Sequence, residues 1–528
     1  MRAGRDGPVT LSTLRQRAMG AEEEDLPLAP WSSSDRLKAM RRATSSTSMV
    51  EGSIMNPDNR GQEPTRPVYA PVPRRTALSV DFGNGVNGTF VRSNIDGTMT
   101  FLLPDVRSAA APTRPTAPQN ENHDEERAIH LFKLLYSCAA ALDKGEKELV
   151  NKGLELICSL ATDDGEPVHR LVASFADALA LRLVQPWQGV CRALQLPTTT
   201  PAPEATAARR HFAAMCPFLR LAGTAANYAI IDAVQTERNA VLHVVDLGGS
   251  DPGQWLLLLR FFANRPGAST HHQILRLTIV NEEDEFLSST AALLALEAEQ
   301  LHISFQFHPV RLHINQLLSI EPLDVRSGEA LVIVSTLQLH RLLANEFAEA
   351  ATRPHDRKGK GQAHATMTRA DALLRKLAEL SPKLMVVTEQ EASHNSVEFT
   401  DRFGNALKYY GALFDALEES VPARGSALER ADVERCLLLP QIRDIIACDG
   451  AQRRERHERM VDWAARMEAA GFVPATMSPG TVAQTAILAH MLAGDSRAYR
   501  VCSQNDGRCI FIYRDDVPMF SVSTWRTV

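Results

Sequence analysis

Five short apolar runs alternating with helical patterns constrain this chain more than any other feature. They are "VLHVVDL" (241–247), "ILRLTIV" (274–280), "ISFQFHP" (303–309), "EALVIVS" (329–335) and "KLMVVTE" (383–389). Such Val/Ile/Leu-rich runs suit strands buried on both faces. The amphipathic patterns near 253–264, 285–301 and 368–380 supply helices to cover them. The fold class this predicts is α/β, with a parallel sheet at its centre.

Either side of this region the texture differs. The chain has 528 residues, enough for one large domain or two medium ones plus a tail. Residues 1–123 are rich in Ser, Thr, Pro, Arg and Gly, with no recurring apolar period, and are expected to form a mostly disordered tail. Within them, residues 78–106 carry β-like runs between turn dipeptides: a small hairpin, or a segment that orders on binding. From Ala128 the apolar positions Ile129, Phe132, Leu135, Ala139 and Leu142 step by three and four, marking a helix that ends at Gly145. Further helices are expected over 147–162 and 166–184, then one long helix over 206–235. Beyond the fifth strand, Phe399, Phe403, Leu407, Tyr410, Phe414 and Leu417 form one helical stripe, with two more helices over 428–447 and 452–470. The C-terminal stretch reads as antiparallel strands around an Asn-Asp-Gly turn.

Charge and composition exclude several function classes. With 57 basic and 63 acidic residues the net charge is −6, so direct DNA binding would need a local basic patch. The basic runs at 36–42 and 353–361 suit nuclear import or plain solvated loops, and no aromatic residues interleave them. No apolar run approaches the ~20 residues of a membrane span. The first twenty residues lack the apolar stretch of a secretory signal; they are Arg-containing and acid-poor like a transit peptide, but "AEEEDLP" follows at once. None of the eight cysteines forms a C-x-x-C pair, so reduced core thiols are expected, with no metal site.

The most informative loop is "VLHVVDLGGSDPGQW" (241–255). A nucleotide or S-adenosylmethionine site needs glycines just beyond a strand, where backbone must approach the ligand closely. Gly248, Gly249 and Gly253 offer this, and Asp246 ends the strand, but Asp251-Pro252 interrupts the spacing of a dinucleotide fingerprint. Glu282 or Glu283, after the second strand, would accept a ribose hydroxyl. The competing reading is a tight strand-to-helix turn without ligand, capped by Ser250 or Asp251. A second candidate is "TEQEASHNS" (388–396), where Glu389, Glu391, His394 and Asn395 gather at the strand edge that binds ligands in open α/β sheets. Those carboxylates serve equally well as helix caps and bridges, the favoured reading. His243 on a buried strand reads as a hydrogen-bonded core residue. "LFKLL" places Leu131, Leu134 and Leu135 in the L-x-x-L-L pattern of a helix that docks into a partner, although leucine-rich helices produce that string by chance. No P-loop, H-E-x-x-H or G-x-S-x-G is present, so no catalytic residues are assigned.

From about residue 128 onward these pieces together resemble the plant GRAS family of transcriptional regulators. Residues 130–183 are similar to that family's first leucine-rich region, and "LHVVDL" matches its VHIID signature through His243, Val244, Val245, Asp246 and Leu247. "ALEAEQLHISFQFHPV" resembles the second leucine-rich region, and the stretch from "VVTEQEASHNS" resembles the approach to the PFYRE region. Arg453 with Glu458, Trp463 with Gly471, and Ser523, Thr524 and Trp525 match the SAW region. "GEALVIVSTLQLHRLLA" and "DLGGSDPGQWLLLLRFF" look most like the Scarecrow-like 3 branch. Three departures stand out: Thr524 replaces the usual Ala, Arg514 stands where a Trp is expected, and no glycine follows the second strand in "LTIVNEE".

The resemblance implies a GRAS domain over 124–528: first leucine-rich region 128–197, VHIID region 206–290, second leucine-rich region 291–325, PFYRE region 326–427 and SAW region 428–528. It implies a Rossmann-like, methyltransferase-related core under an N-terminal helical cap, acting in the nucleus without catalysis or cofactor. Implied partners are zinc-finger transcription factors, DELLA-type repressors and other GRAS proteins, with DNA reached indirectly and homo- or hetero-dimers open. Gibberellin-linked growth or root development is the implied setting. The alternative reading is an S-adenosylmethionine-dependent methyltransferase-like enzyme or a small-molecule sensor, using Asp246, Gly248, Gly249, Gly253 and Glu282.

Overall fold

The computed structural model describes residues 76–81, 87–92, 99–102, 118–162, 165–187, 189–190, 202–235, 240–248, 251–264, 274–344, 367–493, 498–504 and 507–527. The expected tail therefore lies mostly outside the described residues. So do both basic runs. In the stretch read as a hairpin, β1 (Thr76–Asp81), β2 (Asn87–Arg92) and β3 (Met99–Leu102) pair as a three-stranded antiparallel sheet.

The five apolar runs become β4 (Val241–Asp246), β5 (Ile274–Val280), β6 (Ser304–Val310), β7 (Ala330–Thr336) and β8 (Leu384–Gln390). They pair in parallel in the order β6-β5-β4-β7-β8. The C-terminal hairpins extend this sheet antiparallel: β12 (Val517–Thr527) lies on β8, β11 (Cys509–Arg514) on β12 and β10 (Tyr499–Gln504) on β11. A short strand, β9 (Phe472–Pro474), pairs with the far end of β12.

Successive side chains on a strand point to opposite faces, and β4 uses both. Leu242 and Val244 join one apolar cluster; Val245 and Leu247 join another. The first cluster is built with α1 (Pro118–Asp143), α2 (Lys147–Leu160), α3 (Pro167–Val184), α4 (Ala202–Met215), α5 (Phe218–Val234), α6 (Gly253–Asn264), α7 (Asp284–Gln300) and α9 (Phe399–Arg424). The second is covered by α8 (Arg369–Glu379) and α12 (Met460–Ala469). The sheet is thus sandwiched, as its apolar strands require. The cap closes where Phe403 meets Tyr136 and Phe175 edge-on, each with centroids 5.5 Å apart.

Several expectations need correction. The long helix over 206–235 divides at Pro217, because proline cannot donate to the preceding turn and its ring clashes with it. The helix over 428–447 resolves into α10 (Ala427–Val433), a π-helical turn (Glu434–Leu438) and α11 (Leu439–Ala447). The helix over 452–470 begins only at Met460, because 453–459 is irregular and its polar groups bond to other segments. An unanticipated helix, α13 (Pro479–Ala493), follows β9. Leu131, Leu134 and Leu135 are 2%, 4% and 0% exposed, so the L-x-x-L-L face packs into the cap core and is closed to a partner. The cysteines among the described residues are free thiols. No described helix is long and apolar enough to cross a membrane.

Candidate functional site

The chain steps from β4 to β5 to β6 in one direction and places β7 and β8 on the other side of β4. That reversal opens a crevice beyond the carboxyl ends of β4 and β7, where open α/β sheets bind ligands. Gly248 sits at this point with φ +125°. Its carbonyl accepts Nε2 of Gln338 at 2.9 Å, and a Cβ at position 248 would lie 2.7 Å from Gln338 Cδ. The close approach that glycine permits is taken by this chain's own glutamine.

The other loop residues are also committed to structure. Asp246 is buried, and its Oδ2 accepts the Trp255 indole N–H at 2.9 Å, tying β4 to α6. Gly253 opens α6 and donates its N–H to Asp251 Oδ1 at 2.9 Å, so Asp251 is the expected cap. Gly249 and Ser250 lie outside the described residues. Glu283 accepts the Thr206 hydroxyl at 2.7 Å and an Arg209 N–H at 3.3 Å, joining the β5–α7 turn to α4. Glu282 is exposed at the mouth of a cavity of about 130 Å³, bounded also by Gln338, His340, Arg341 and Gln390. Small-molecule pockets usually start at about 300 Å³. With Gln338 in the crevice and Glu283 engaged by α4, these residues do not fit S-adenosylmethionine.

Beside that cavity is a buried polar network that joins "TEQEASHNS" to the SAW segment. His340, just after β7, is 2% exposed. Its Nδ1 donates to Glu389 Oε2 at 2.8 Å and its Nε2 to Glu455 Oε2 at 2.9 Å. Burial alone pushes the imidazole down, but Glu389 and then Glu455 outweigh it and raise its pKa to about 9. Glu389 Oε1 also accepts the Leu339 N–H at 2.8 Å, and Arg341 reaches Glu455 at 3.2 Å. The rings of His394 and His457 share an Nδ1–Nδ1 hydrogen bond of 2.9 Å. Burial keeps both rings neutral; His457 is lowered to about 4. Glu391 Oε2 accepts the Met460 N–H at 2.9 Å, capping α12, and Asn395 donates to Glu458 Oε1 at 2.7 Å. The favoured reading of caps and bridges describes the two carboxylates, Glu389 and Glu391. Among the described residues, His340, Glu455 and His457 bring ligand atoms within 4.8 Å of one another, but the His340 imidazolium together with Arg341 already balances the charge of Glu389 and Glu455.

Several matched signature residues make contacts inside the fold. His243 is fully buried, donates from Nδ1 to Glu329 at 2.8 Å and accepts Thr278 Oγ1 at Nε2 at 2.8 Å; burial lowers its pKa to about 4. Glu458 pairs with Arg466 at 2.7 Å, and Trp463 and Trp525 lie in the second core cluster. Trp525 donates its indole N–H to Ser523 Oγ at 2.9 Å. Gly471 takes φ +99° in the turn from α12 to β9, a conformation that side chains disfavour. Thr524, the departure from Ala, donates its hydroxyl to the Ala475 carbonyl at 2.8 Å. Arg514, the departure from Trp, is fully buried, 2.7 Å from Glu419 and with its guanidinium carbon 5.2 Å from the Tyr499 ring centroid. Its local packing is thus supplied by an ion pair and a ring.

The profile of the GRAS domain family matches residues 131–526. The chain belongs to that family. It is 34% identical over 444 residues to Scarecrow-like protein 3 of Arabidopsis thaliana, covering 76% of this chain and 90% of that one. It is 27% identical over 416 residues to DELLA protein GAI1 of Vitis vinifera, covering 79% of this chain and 65% of that one. The crystal structure of SCL7 in Oryza sativa superposes with a TM-score of 0.63 at 27% identity, covering 75% of this chain and 99% of that one. The Rossmann-like core read from the sequence is therefore the family's fold.

Proposed function

We propose that this GRAS protein is a nuclear transcriptional co-regulator that works through protein contacts rather than catalysis. The observation that carries the reading is the state of the carboxyl edge: Gln338 lies across Gly248, and Glu389, His340 and Glu455 bind the edge to the SAW segment. An edge closed in this way is a rigid platform. The similarity to Scarecrow-like protein 3 and to a DELLA protein supports gibberellin-linked growth or root development as its setting. Zinc-finger transcription factors, DELLA-type repressors and other GRAS proteins are the partners to try, with DNA reached through them. The net charge of −6 favours recruitment over direct DNA binding.

The 528-residue chain targeted to the nucleus should capture one or more of these partners and change reporter output. Absence of both binding and output would end this reading. For the methyltransferase-like alternative, thermal-shift titration with S-adenosylmethionine is decisive. Silence up to millimolar concentration is the outcome we expect.

A further inference from the structure

The strongest unassigned feature is Arg453. It is 5% exposed, yet no carboxylate among the described residues lies within ion-pair distance of it. One NH1 donates to the carbonyls of His394 and Ser396, at 3.0 and 3.3 Å, and Nε has no hydrogen-bond partner among the described residues. A buried guanidinium without a counter-charge is costly, so native structures pair it or expose it.

The neighbourhood adds positive charge. Burial, then Arg402 and Arg456, lower the Arg453 pKa to about 9, and Asp449 and Asp444 offset them only in part. Asp449 is shared between Arg402 at 3.1 Å and Arg182 at 2.8 Å. Asp444 is pushed up to about 6 by burial and Glu455, and its Oδ1 accepts the N–H groups of Arg454 and Glu455. The remaining acids on this wall, Glu458 and Asp371, are both spent on Arg466 at 2.7 and 2.8 Å, while Asp462 is exposed at the rim. Arg453 opens onto a surface cavity of about 830 Å³ together with Arg375, Arg456 and Asn395. Val397 and Met367, 89% and 57% exposed, stand on the same wall.

We propose that this cavity is a docking site for a phosphorylated serine or threonine on a partner protein. The phosphate supplies a direct counter-charge where Asp449 and Asp444 act on Arg453 only from a distance, and the exposed Val397 and Met367 receive an apolar neighbour in the partner segment. A phosphomonoester carries about −1.5 to −2 charge and three acceptor oxygens, so it can bridge the cavity-facing edge of the Arg453 guanidinium and a second arginine, whereas one carboxylate brings a single charge. The inference rests on the partner-binding reading but specifies its chemistry.

The probe is N-acetyl-phosphoserine amide, titrated into the full chain at constant ionic strength, with N-acetyl-glutamate amide and chloride as controls. Saturable binding is expected, at least tenfold weaker for the glutamate compound and at least tenfold weaker in Arg453→Lys, which keeps charge but loses the guanidinium fork. Val397→Asp, an exposed change that leaves the core intact, should weaken it at least threefold and serves if Arg453→Lys does not fold. No saturable binding up to 20 mM (about a hundred times a 0.2 mM site), equal binding of the glutamate compound, or unchanged affinity in the folded variants overturns the proposal. Partner capture that survives phosphatase treatment would keep the co-regulator reading and sink this one; phosphoserine binding without any captured partner would do the reverse.

Discussion

His340→Gln removes the positive charge that directly bridges Glu389 and Glu455. Glutamine still donates to one carboxylate, but both acids stay buried. Breaking a buried ion pair from one side costs about 3–5 kcal/mol. Over the matched span 131–526, unfolding entropy of about 2.1 cal/mol/K per residue comes to roughly 0.8 kcal/mol/K. A loss of about 4 kcal/mol should therefore lower Tm by about 5 °C. The pH dependence gives an independent check. An unfolded imidazole titrates near 6.5 and the folded one at about 9, so its stabilisation is whole below pH 6.5 and is lost as pH rises through 9. At about 1.4 kcal/mol per pH unit, that interval is worth roughly 3 kcal/mol. Thermal unfolding of the full chain and of His340→Gln, followed by circular dichroism at pH 6 and pH 10, measures this directly. Other groups titrate in both proteins and cancel in the difference. The gap should be near 5 °C at pH 6 and largely close by pH 10. A gap of equal size at both pH values, or none at pH 6, would refute the claim that a buried imidazolium holds the core to the SAW segment.

Three further outcomes follow from packing. Glu419→Ala removes the nearer acid from the buried Arg514 guanidinium, leaving Asp515 at 3.8 Å, and should cost about 2 kcal/mol, because Glu419 is 35% exposed and the pair lies between the buried and surface cases. Adding Arg514→Met should recover part of that loss in urea denaturation, and a double variant worse than the single would contradict it. Leu135→Ala should cost about 2–5 kcal/mol and reduce partner capture only as far as the folded fraction falls. A fully folded Leu135→Ala that no longer captures partners would return the L-x-x-L-L face to the surface. Asp246→Ala leaves the Trp255 indole without its acceptor and should cost about 1.5–3 kcal/mol, with partner affinity of the folded protein unchanged in calorimetry.

The five central strands were legible because each is buried on both faces, and a continuous apolar run of that length between helical patterns has few other solutions. The Asp251 cap and the core role of His243 were legible for a similar reason: both depend on near neighbours in sequence or on a strand already assigned. What could not be read depends on partners far along the chain. Gln338 is 90 residues from the Gly248 carbonyl it occupies, and His340 is 115 residues from Glu455. In sequence, "RRERHERM" passes for the start of a solvated helix, and only its two glutamates and histidine amid core-bound segments hint otherwise. The split at Pro217 was visible in the letters and outweighed by the periodicity on either side of it. Leu131, Leu134 and Leu135 show the opposite hazard: a motif that describes a docking helix describes a core helix equally well.

The placement of this network bears on how such a scaffold changes use. A cofactor site at a topological switch point needs an accessible crevice, a carboxylate held ready for the ribose and a loop able to approach the ligand. Here Gln338 fills the crevice, Glu283 is drawn to α4, and Asp246 is turned to Trp255. Gln338 and Glu283 exchange a ligand contact for one between segments distant in sequence, and Asp246 exchanges one for a bond to the helix that follows it, so polar groups that would bind a cofactor instead fix neighbouring segments on the sheet. A surface fixed in this way loses little conformational entropy when a partner docks, which favours protein recognition at the outer faces. Arg453 is the exception among these commitments: it is held by backbone carbonyls, close to other arginines, with no acid of its own. An anionic group brought by a partner would complete that position, the outcome the phosphoserine titration measures.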